Sequence, residues 1–313
     1  MHLCLMANGK VILIAGPTAS GKSALALGLA ERLGGTIINA DSMQVYAEMR
    51  ILTARPTAAD EGRVRHRLYG HVPAREAYSV GRYVADAGCE IAYVQQAGGV
   101  AIVVGGTGLY FKALLEGLSP IPAVPLEIRS HWRAEARRLA PGALHALLAA
   151  RDPLVAARLE PADLQRITRA LEVLDATGLS LADWQRRPGQ AVLSQYQTVR
   201  LLVQPERSLL HARCDARFKA MIVEGALDEA RAMSELQLDP DQPAMRAIGL
   251  CPLLAHLRGE TGLDGAIAQG QAETRQYVKR QATWARRNYS TWWTIESTDM
   301  ERNVEAALAF IHS

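Results

Sequence analysis

Residues 16 to 23 read Gly16-Pro17-Thr18-Ala19-Ser20-Gly21-Lys22-Ser23 and match G-x-x-x-x-G-K-[ST] at every fixed position. The chemistry of that pattern is phosphate binding. Its glycines let backbone N–H groups converge on phosphate oxygens, and the helix that follows aims its positive end at them. Lys22 adds a point charge, and the Ser23 hydroxyl is a suitable ligand for Mg²⁺. The apolar run Lys10-Val11-Ile12-Leu13-Ile14-Ala15 precedes the loop, and residues 23–33 follow it with helical spacing. The pattern identifies a phosphate chain and leaves open which molecule carries it.

A P-loop NTPase usually places an acidic residue at the end of a second apolar strand to hold Mg²⁺. Here the apolar residues 101–104 run into Gly105-Gly106-Thr107-Gly108-Leu109-Tyr110, without an acid. The carboxylate sits instead at Asp41, after the strand-like residues 36–40, within Asp41-Ser42-Met43-Gln44-Val45-Tyr46. A carboxylate there, facing a phosphate site, is a candidate general base; the position would equally suit a helix cap. Thr107 reads as a site residue or as a turn residue. Farther along, Gln165-Arg166-Ile167-Thr168-Arg169 falls on a helix that Asp163 is placed to cap. Arg166 and Arg169 share a face opposite Ile167, Ala170 and Leu171, either for binding or simply solvated. Arg213 and Arg217, four apart, could reach phosphates or pair with Asp215 and Glu224. Residues 274–288 carry Arg275, Lys279, Arg280, Arg286 and Arg287 interleaved with Tyr277 and Trp284, with almost no acid. Such charge suits a phosphate backbone and such aromatics can stack on bases, although a seven-residue spacing also suits a buried stripe.

The elements that must position these residues alternate. Strand patterns at 10–15, 36–40, 100–104 and 198–204, with helical patterns at 23–33 and 83–96, predict an α/β fold with a parallel sheet covered on both faces. Ligands in such sheets sit at the carboxyl ends of the strands, where the glycine loop, Asp41 and Thr107 all fall. Pro120, Pro122 and Pro125 punctuate a connector, after which only helical patterns appear, at 129–139, 142–150, 153–158 and 163–177. The expected organisation is therefore an α/β core of residues 1–121 and 197–313 interrupted by an all-helical insertion at 122–196. The tail from 208 onward is also mainly helical.

With 49% hydrophobic residues in a chain of 313, a sizeable core can form, and 21% charged residues excludes a disordered chain. Net charge is only +3, so the overall balance names no partner. No apolar window approaches 18 residues and no basic-flanked cleavage signal opens the chain, which argues against a membrane span or signal peptide. Cys4, Cys89, Cys214 and Cys251 form no CxxC pair, as expected of reduced thiols in a cytoplasmic protein.

Taken together, these stretches resemble the tRNA dimethylallyltransferase (tRNA isopentenyltransferase) family. The resemblance is carried by residues 16–23 (GPTASGKS), 41–46 (DSMQVY), 104–118 (VGGTGLYFKALLEGL), 163–178 (DLQRITRALEVLDATG), Ala247-Ile248-Gly249 and 274–284 (TRQYVKRQATW), in the family's order over nearly the whole chain. The loop alone is shared with many unrelated enzymes; the set is specific. The resemblance implies a P-loop NTPase-like sheet and transfer of a dimethylallyl group from dimethylallyl diphosphate to N6 of a flipped adenosine beside the tRNA anticodon, at position 37. It implies Mg²⁺ as cofactor, held at Ser23, and tRNA and dimethylallyl diphosphate as partners of a monomer. Asp41, as general base, Thr18, Lys22 and Thr107 form the implied catalytic set, and Gly16 through Ser23 hold the diphosphate. For tRNA the implied contacts are Asp41, Ser42, Met43, Gln44, Thr107, Gln165, Arg166, Ile167, Thr168 and Arg169. To these we add Arg129, Arg213, Arg217, Arg275, Lys279 and Arg280. The chain departs from the family at Arg67, where a second His is usual, at Leu250-Cys251-Pro252 in place of Tyr-x-Glu, and at Ala285 in place of Phe. These departures are expected to lie away from the chemistry and to bear on tRNA contacts. On the residues alone, an ATP-dependent small-molecule kinase and a non-catalytic RNA-binding ATPase stay open; the missing acid after 101–104 stands against the kinase.

Overall fold

The structure is a computed structural model that describes residues 9–313, so Cys4 and the first eight residues lie outside the described residues. In chain order the first unit begins with β1 (Lys10–Ala15), α1 (Lys22–Leu33), β2 (Thr36–Asn39), α2 (Ala58–Arg63), β3 (His66–Arg67), α3 (Val80–Gln96), β4 (Ala101–Gly105) and α4 (Gly108–Glu116). The helical elements α5 (Leu126–Arg138), α6 (Pro141–Arg151), α7 (Pro153–Ala156), α8 (Leu164–Thr177) and α9 (Leu181–Gln185) follow. The chain then returns with β5 (Gln197–Val203), α10 (Arg207–Glu224), α11 (Ala226–Glu235), α12 (Leu250–Leu257), α13 (Leu263–Asn288), β6 (Trp293–Ile295) and α14 (Met300–His312). The described residues form two compact units, one of residues 9–115 with 192–313 and one of residues 116–191.

The strands of the first unit form one sheet in the order β3-β2-β4-β1-β5-β6, with every pair parallel. The inner strands are runs of Val, Ile and Leu because both faces are covered. Along β1 the side chains alternate. Ile12 and Ile14 join Leu25, Leu29, Ile102 and Ile311 under α1 and α14, while Val11 and Leu13 join Tyr83, Ile91, Val103 and Phe111 on the other face. The two edge strands escape sequence reading because two or three residues carry no periodicity.

Register sets the site. Ala15 lies opposite Gly105 and Asn39 opposite Val104, so β1, β4 and β2 end at one level. Gly105 must be glycine there: a Cβ would lie 2.1 Å from the Ala40 carbonyl oxygen. Among the described residues no helix is long and apolar enough to cross a membrane.

The second unit packs Trp132, Leu144, Leu148, Val155, Ile167, Ala170 and Leu171 into its own small core. Its α8 begins where expected, with the Asp163 carboxylate accepting the Arg166 N–H, and ends at Gly178 in the left-handed region. On that helix Ile167 is fully buried and Thr168 is 8% exposed. Both were expected to contact tRNA, and their side chains instead form the inward stripe. Gln165 and Arg166 are exposed and Arg169 half-exposed, the last two paired within the helix to Asp163 (2.9 Å) and Glu172 (3.4 Å). Arg129 is half-exposed on α5.

Candidate active site

The loop after β1 turns because Ala19 and Gly21 both take positive φ, 64° and 95°. That curl brings the loop over the first turn of α1, where Lys22 and Ser23 stand. The Lys22 ammonium donates to the Pro17 carbonyl at 3.3 Å. Desolvation lowers its pKa to about 8, against the opposing pull of the Asp41 carboxylate. Ser20 is buried, and its hydroxyl has no hydrogen-bond partner. An orphaned hydroxyl inside a glycine loop fits an incoming phosphate oxygen.

Asp41 is held by its neighbours rather than by a helix. Its Oδ1 accepts the Met43 N–H at 2.9 Å, making an Asx turn and not a cap. Asn39, fully buried, grips the Asp41 backbone from both sides: Oδ1 accepts the Asp41 N–H at 2.8 Å, and Nδ2 donates to the Asp41 carbonyl at 2.9 Å and to Leu68 at 3.1 Å. Sequence reading passed over Asn39 as one more strand residue. A polar amide at the buried end of an apolar strand was the only signal. Asn39→Ala is expected to lower kcat about 10- to 100-fold through misplacement of Asp41, with both KM values little changed. A thermally weakened variant whose folded fraction turns over normally would remove that positioning role.

Thr107 follows β4 and does two things. Its Oγ1 accepts the Ser42 N–H at 2.9 Å, tying the β2 and β4 ends together, and its carbonyl accepts the Tyr110 N–H as α4 begins. Gln281 of α13 completes the frame. Its Oε1 accepts the Thr18 N–H at 2.9 Å and its Nε2 donates to the Gly106 carbonyl at 3.0 Å, so one buried amide staples the phosphate loop to the β4 loop. The Gly-Gly-Thr-Gly stretch and the Thr-Arg-Gln-Tyr stretch therefore meet in space. A Cβ at Gly108 would lie 2.1 Å from Trp284 Nε1.

The buried stripe of α13 includes Thr274, Val278, Gln281 and Ala285; Tyr277 and Trp284 are half-buried beside it, and Trp284 packs against the main core. Ala285 lines a small cavity of about 20 Å³ with Gly16, Pro17 and Gly106, so this departure lies directly behind the phosphate loop and not away from it. Tyr277 faces the site beside Thr107 and Gln281, and burial, then the Asp41 charge, raises its phenol pKa. Arg67 makes a surface pair with Glu90, and Leu250 and Pro252 are buried.

A cavity of about 200 Å³ opens between these parts. Its polar lining is Thr18, Asp41, Ser42, Thr53, Cys214, Arg217, Arg246, Thr274, Tyr277 and Arg280, and its apolar lining Met43, Leu52, Ala54, Phe218, Met221 and Ile248. Arg217 is desolvated there, which lowers its pKa, while Cys214 and Asp41 oppose the shift. It does not pair with Asp215 as one alternative had it; Asp215 binds Arg275 at 2.5 Å. That pairing partly neutralises Arg275; Lys279, Arg280, Arg286 and Arg287 are the exposed cations among the described residues of the helix. Arg213 is half-exposed one turn before Arg217. Gln44 lies beneath the site with its amide nitrogen bonded to the Thr53 and Ala54 carbonyls, 2.8 and 2.9 Å away.

Among the described residues no three His, Cys, Asp or Glu side chains gather to hold a metal. The hard oxygen donor next to Lys22 is the exposed Ser23 hydroxyl. One neutral hydroxyl suits a Mg²⁺ ion whose other ligands are diphosphate oxygens and water.

A parallel sheet, a glycine loop before a helix, and a carboxylate at the neighbouring strand end define a P-loop type of enzyme. Residues 44–288 match the IPP transferase family, and residues 9–72 match isopentenyl transferase. A tRNA dimethylallyltransferase of Parvibaculum lavamentivorans is 51% identical over 303 residues, covering 97% of this chain and 96% of its own. One from a Methylobacterium species is 55% identical over 287 residues, 91% of this chain and 93% of its own. The solved tRNA isopentenylpyrophosphate transferase of Bacillus halodurans superposes with a TM-score of 0.70 at 32% identity, covering 97% of this chain and 95% of that one. A eukaryotic dimethylallyltransferase solved acting on tRNA gives 0.80 at 27% identity, with 97% and 80% covered. The chain belongs to the tRNA dimethylallyltransferase family.

Proposed function

We propose that this enzyme transfers the dimethylallyl group of dimethylallyl diphosphate to N6 of the adenosine immediately 3′ of a tRNA anticodon, position 37, releasing diphosphate. The observation that carries the reading is the pairing of opposites at one cavity: Asp41 and Arg217 both line it together with the apolar Leu52, Phe218, Met221 and Ile248, and the Lys22 ammonium of the phosphate loop lies near enough to feel the Asp41 charge. Cations stabilise a leaving diphosphate, a carboxylate takes a proton, and an apolar end accepts a prenyl tail. A kinase would need an acid after β4, and that strand ends in Gly105-Gly106-Thr107.

The exocyclic amine of adenine is a weak nucleophile because its lone pair is delocalised into the ring. As the new bond forms between N6 and the allylic carbon, the C–O bond to diphosphate breaks and its electron pair leaves with the diphosphate. Asp41 takes the N6 proton. The loop amides, the Ser20 hydroxyl, Lys22 and Arg217 stabilise the charge that grows on the departing oxygens. Mg²⁺ bound at Ser23 would supply further neutralisation of that charge. Thr18 borders the reacting centre through its side chain, since its N–H is taken by Gln281. The adenosine must leave its stack to reach Asp41, and Tyr277 offers a ring beside Thr107 to receive it. Ser42, Met43, Arg280, Lys279 and Arg213 then contact the RNA around the cavity, and the exposed Gln165 and Arg166 and the half-exposed Arg169 and Arg129 of the helical unit contact it elsewhere. The same reading makes the enzyme a cytoplasmic monomer whose thiols stay reduced; Cys89, Cys214 and Cys251 are free.

The test is direct. The purified protein is incubated with Mg²⁺, unmodified anticodon stem-loop RNA and dimethylallyl diphosphate, and the nucleosides are weighed by mass spectrometry. One isoprenoid unit on the adenosine beside the anticodon is the expected gain. No gain, with ATP consumed in a parallel reaction, would overturn the reading.

A further inference from the structure

The apolar end of the cavity has two rigid walls, and neither is explained by holding phosphate or base. The first is α10. Cys214, Arg217, Phe218 and Met221 fall at helical spacing on the face that lines the cavity. The Cys214 end lies by the phosphate loop, its thiol 3.9 Å from the Thr18 carbonyl oxygen. From Arg217 to Met221 the helix climbs about 6 Å, and the side chains that α10 itself gives to the lining run from Cys214 and Arg217 to Phe218 and Met221, Arg246 being a further cation of the same cavity. The phosphates therefore sit at the Arg217 end and a tail attached to them points toward Phe218 and Met221.

Phe218 cannot yield to a longer tail. The tip of its ring is packed against two glycines. A Cβ at Gly249, which has φ of +84°, would lie 2.4 Å from the ring, and one at Gly270 of α13 would lie 2.2 Å from it. Each glycine lets the backbone come close to the tip of the ring, which leaves that tip no room to retreat from the cavity. The second wall, Leu52, is fixed through its backbone. One carboxylate, Glu229 of α11, accepts the N–H groups of Arg50, Ile51 and Leu52 at 2.8, 2.7 and 2.9 Å. The cavity of about 200 Å³ is small, below the roughly 300–1,000 Å³ of pockets that take drug-sized ligands.

We propose that Phe218, its ring tip backed by Gly249 and Gly270, is the gauge of prenyl chain length: it closes the donor pocket after one isoprenoid unit and excludes the ten-carbon geranyl diphosphate. This rests on the prenyl-transfer reading above and names which donor that site accepts.

The experiment measures kcat/KM for dimethylallyl and geranyl diphosphate with the same anticodon stem-loop RNA, in wild type, Phe218→Leu, Phe218→Ala and Met221→Ala. Wild type is expected to use the five-carbon donor and to reject the ten-carbon one. Phe218→Ala is expected to raise the geranyl-to-dimethylallyl ratio about 100-fold, the scale on which apolar pockets discriminate by size. Phe218→Leu, which keeps more of the packing, should move the ratio the same way by less, and Met221→Ala, not backed by either glycine, tests the same end of the pocket if Phe218→Ala does not fold. A ratio unchanged in Phe218→Leu and Met221→Ala, with dimethylallyl transfer retained, overturns the gauge. So does a rise confined to the KM for RNA, which would make this end the adenine pocket. Failure of wild type to transfer either donor would instead sink the prenyl-transfer reading itself.

Discussion

Asp41→Asn is expected to lower kcat by roughly 100- to 10,000-fold, the range for loss of a positioned general base, while donor and RNA affinities stay within a few-fold. The geometry makes this substitution unusually clean. The Asx turn needs an oxygen at Oδ1 to accept the Met43 N–H, and Asn provides one. The Asn39 clamp acts on the backbone of residue 41 and does not depend on its side chain. What is lost is the proton acceptor and one negative charge. Removing that charge leaves Lys22 and Arg217 with less opposing field, so the donor should bind as well as before or more tightly. Single-turnover rates on the preformed complex separate these effects. A chemical step within a few-fold of wild type would move the base elsewhere, and a large rise in donor Kd would mean that Asp41 orders the phosphate site instead.

What sequence alone reveals here follows physical range. The β1 run, the glycine loop and the start of α1 are contiguous, and each feature constrains the next, so they read directly. Asp41 reads as a strand-end carboxylate for the same reason. The devices that aim these groups do not read, because each spans the chain. Gln281 reaches Thr18 and Gly106, and Glu229 holds a turn about 180 residues earlier. Nothing local distinguishes either from any other surface-type residue on a helix. Asn39 is close in sequence to Asp41, yet its role depends on Leu68 and on complete burial. Charge counting also has a limit. Arg275 and Arg217 look alike in the sequence, and folding gives one a carboxylate partner and the other a desolvated place beside the phosphate loop. The turn of a helix decides between neighbours in the same way, hiding Ile167 while it exposes Arg166.

Lys22→Met is expected to lower kcat/KM for the donor about 100- to 1,000-fold, the scale of losing one preorganised stabiliser of transition-state charge. It should also erase a pH dependence that wild type shows. Desolvation pulls the Lys22 pKa down from 10.5 to about 8 in the free protein, with Asp41 and Cys214 acting against the shift and Arg217 with it. A bound diphosphate favours the ammonium form, so binding takes up a proton once the pH passes about 8. Donor affinity in wild type should therefore be greatest below pH 8 and fall above it, by at most tenfold per pH unit. Stability of the free protein moves oppositely. Between about pH 8 and 10.5 the unfolded chain keeps a proton on Lys22 that the native state has lost, so this group's contribution to stability rises with pH across that window. The difference in Tm between wild type and Lys22→Met should grow in favour of wild type from pH 8 to 10, while their difference in donor affinity shrinks. Two opposite slopes from one side chain are the signature of a lysine whose pKa is held down until the diphosphate arrives. If both differences stay flat with pH, Lys22 is charged throughout and its role is that of a fixed counter-ion.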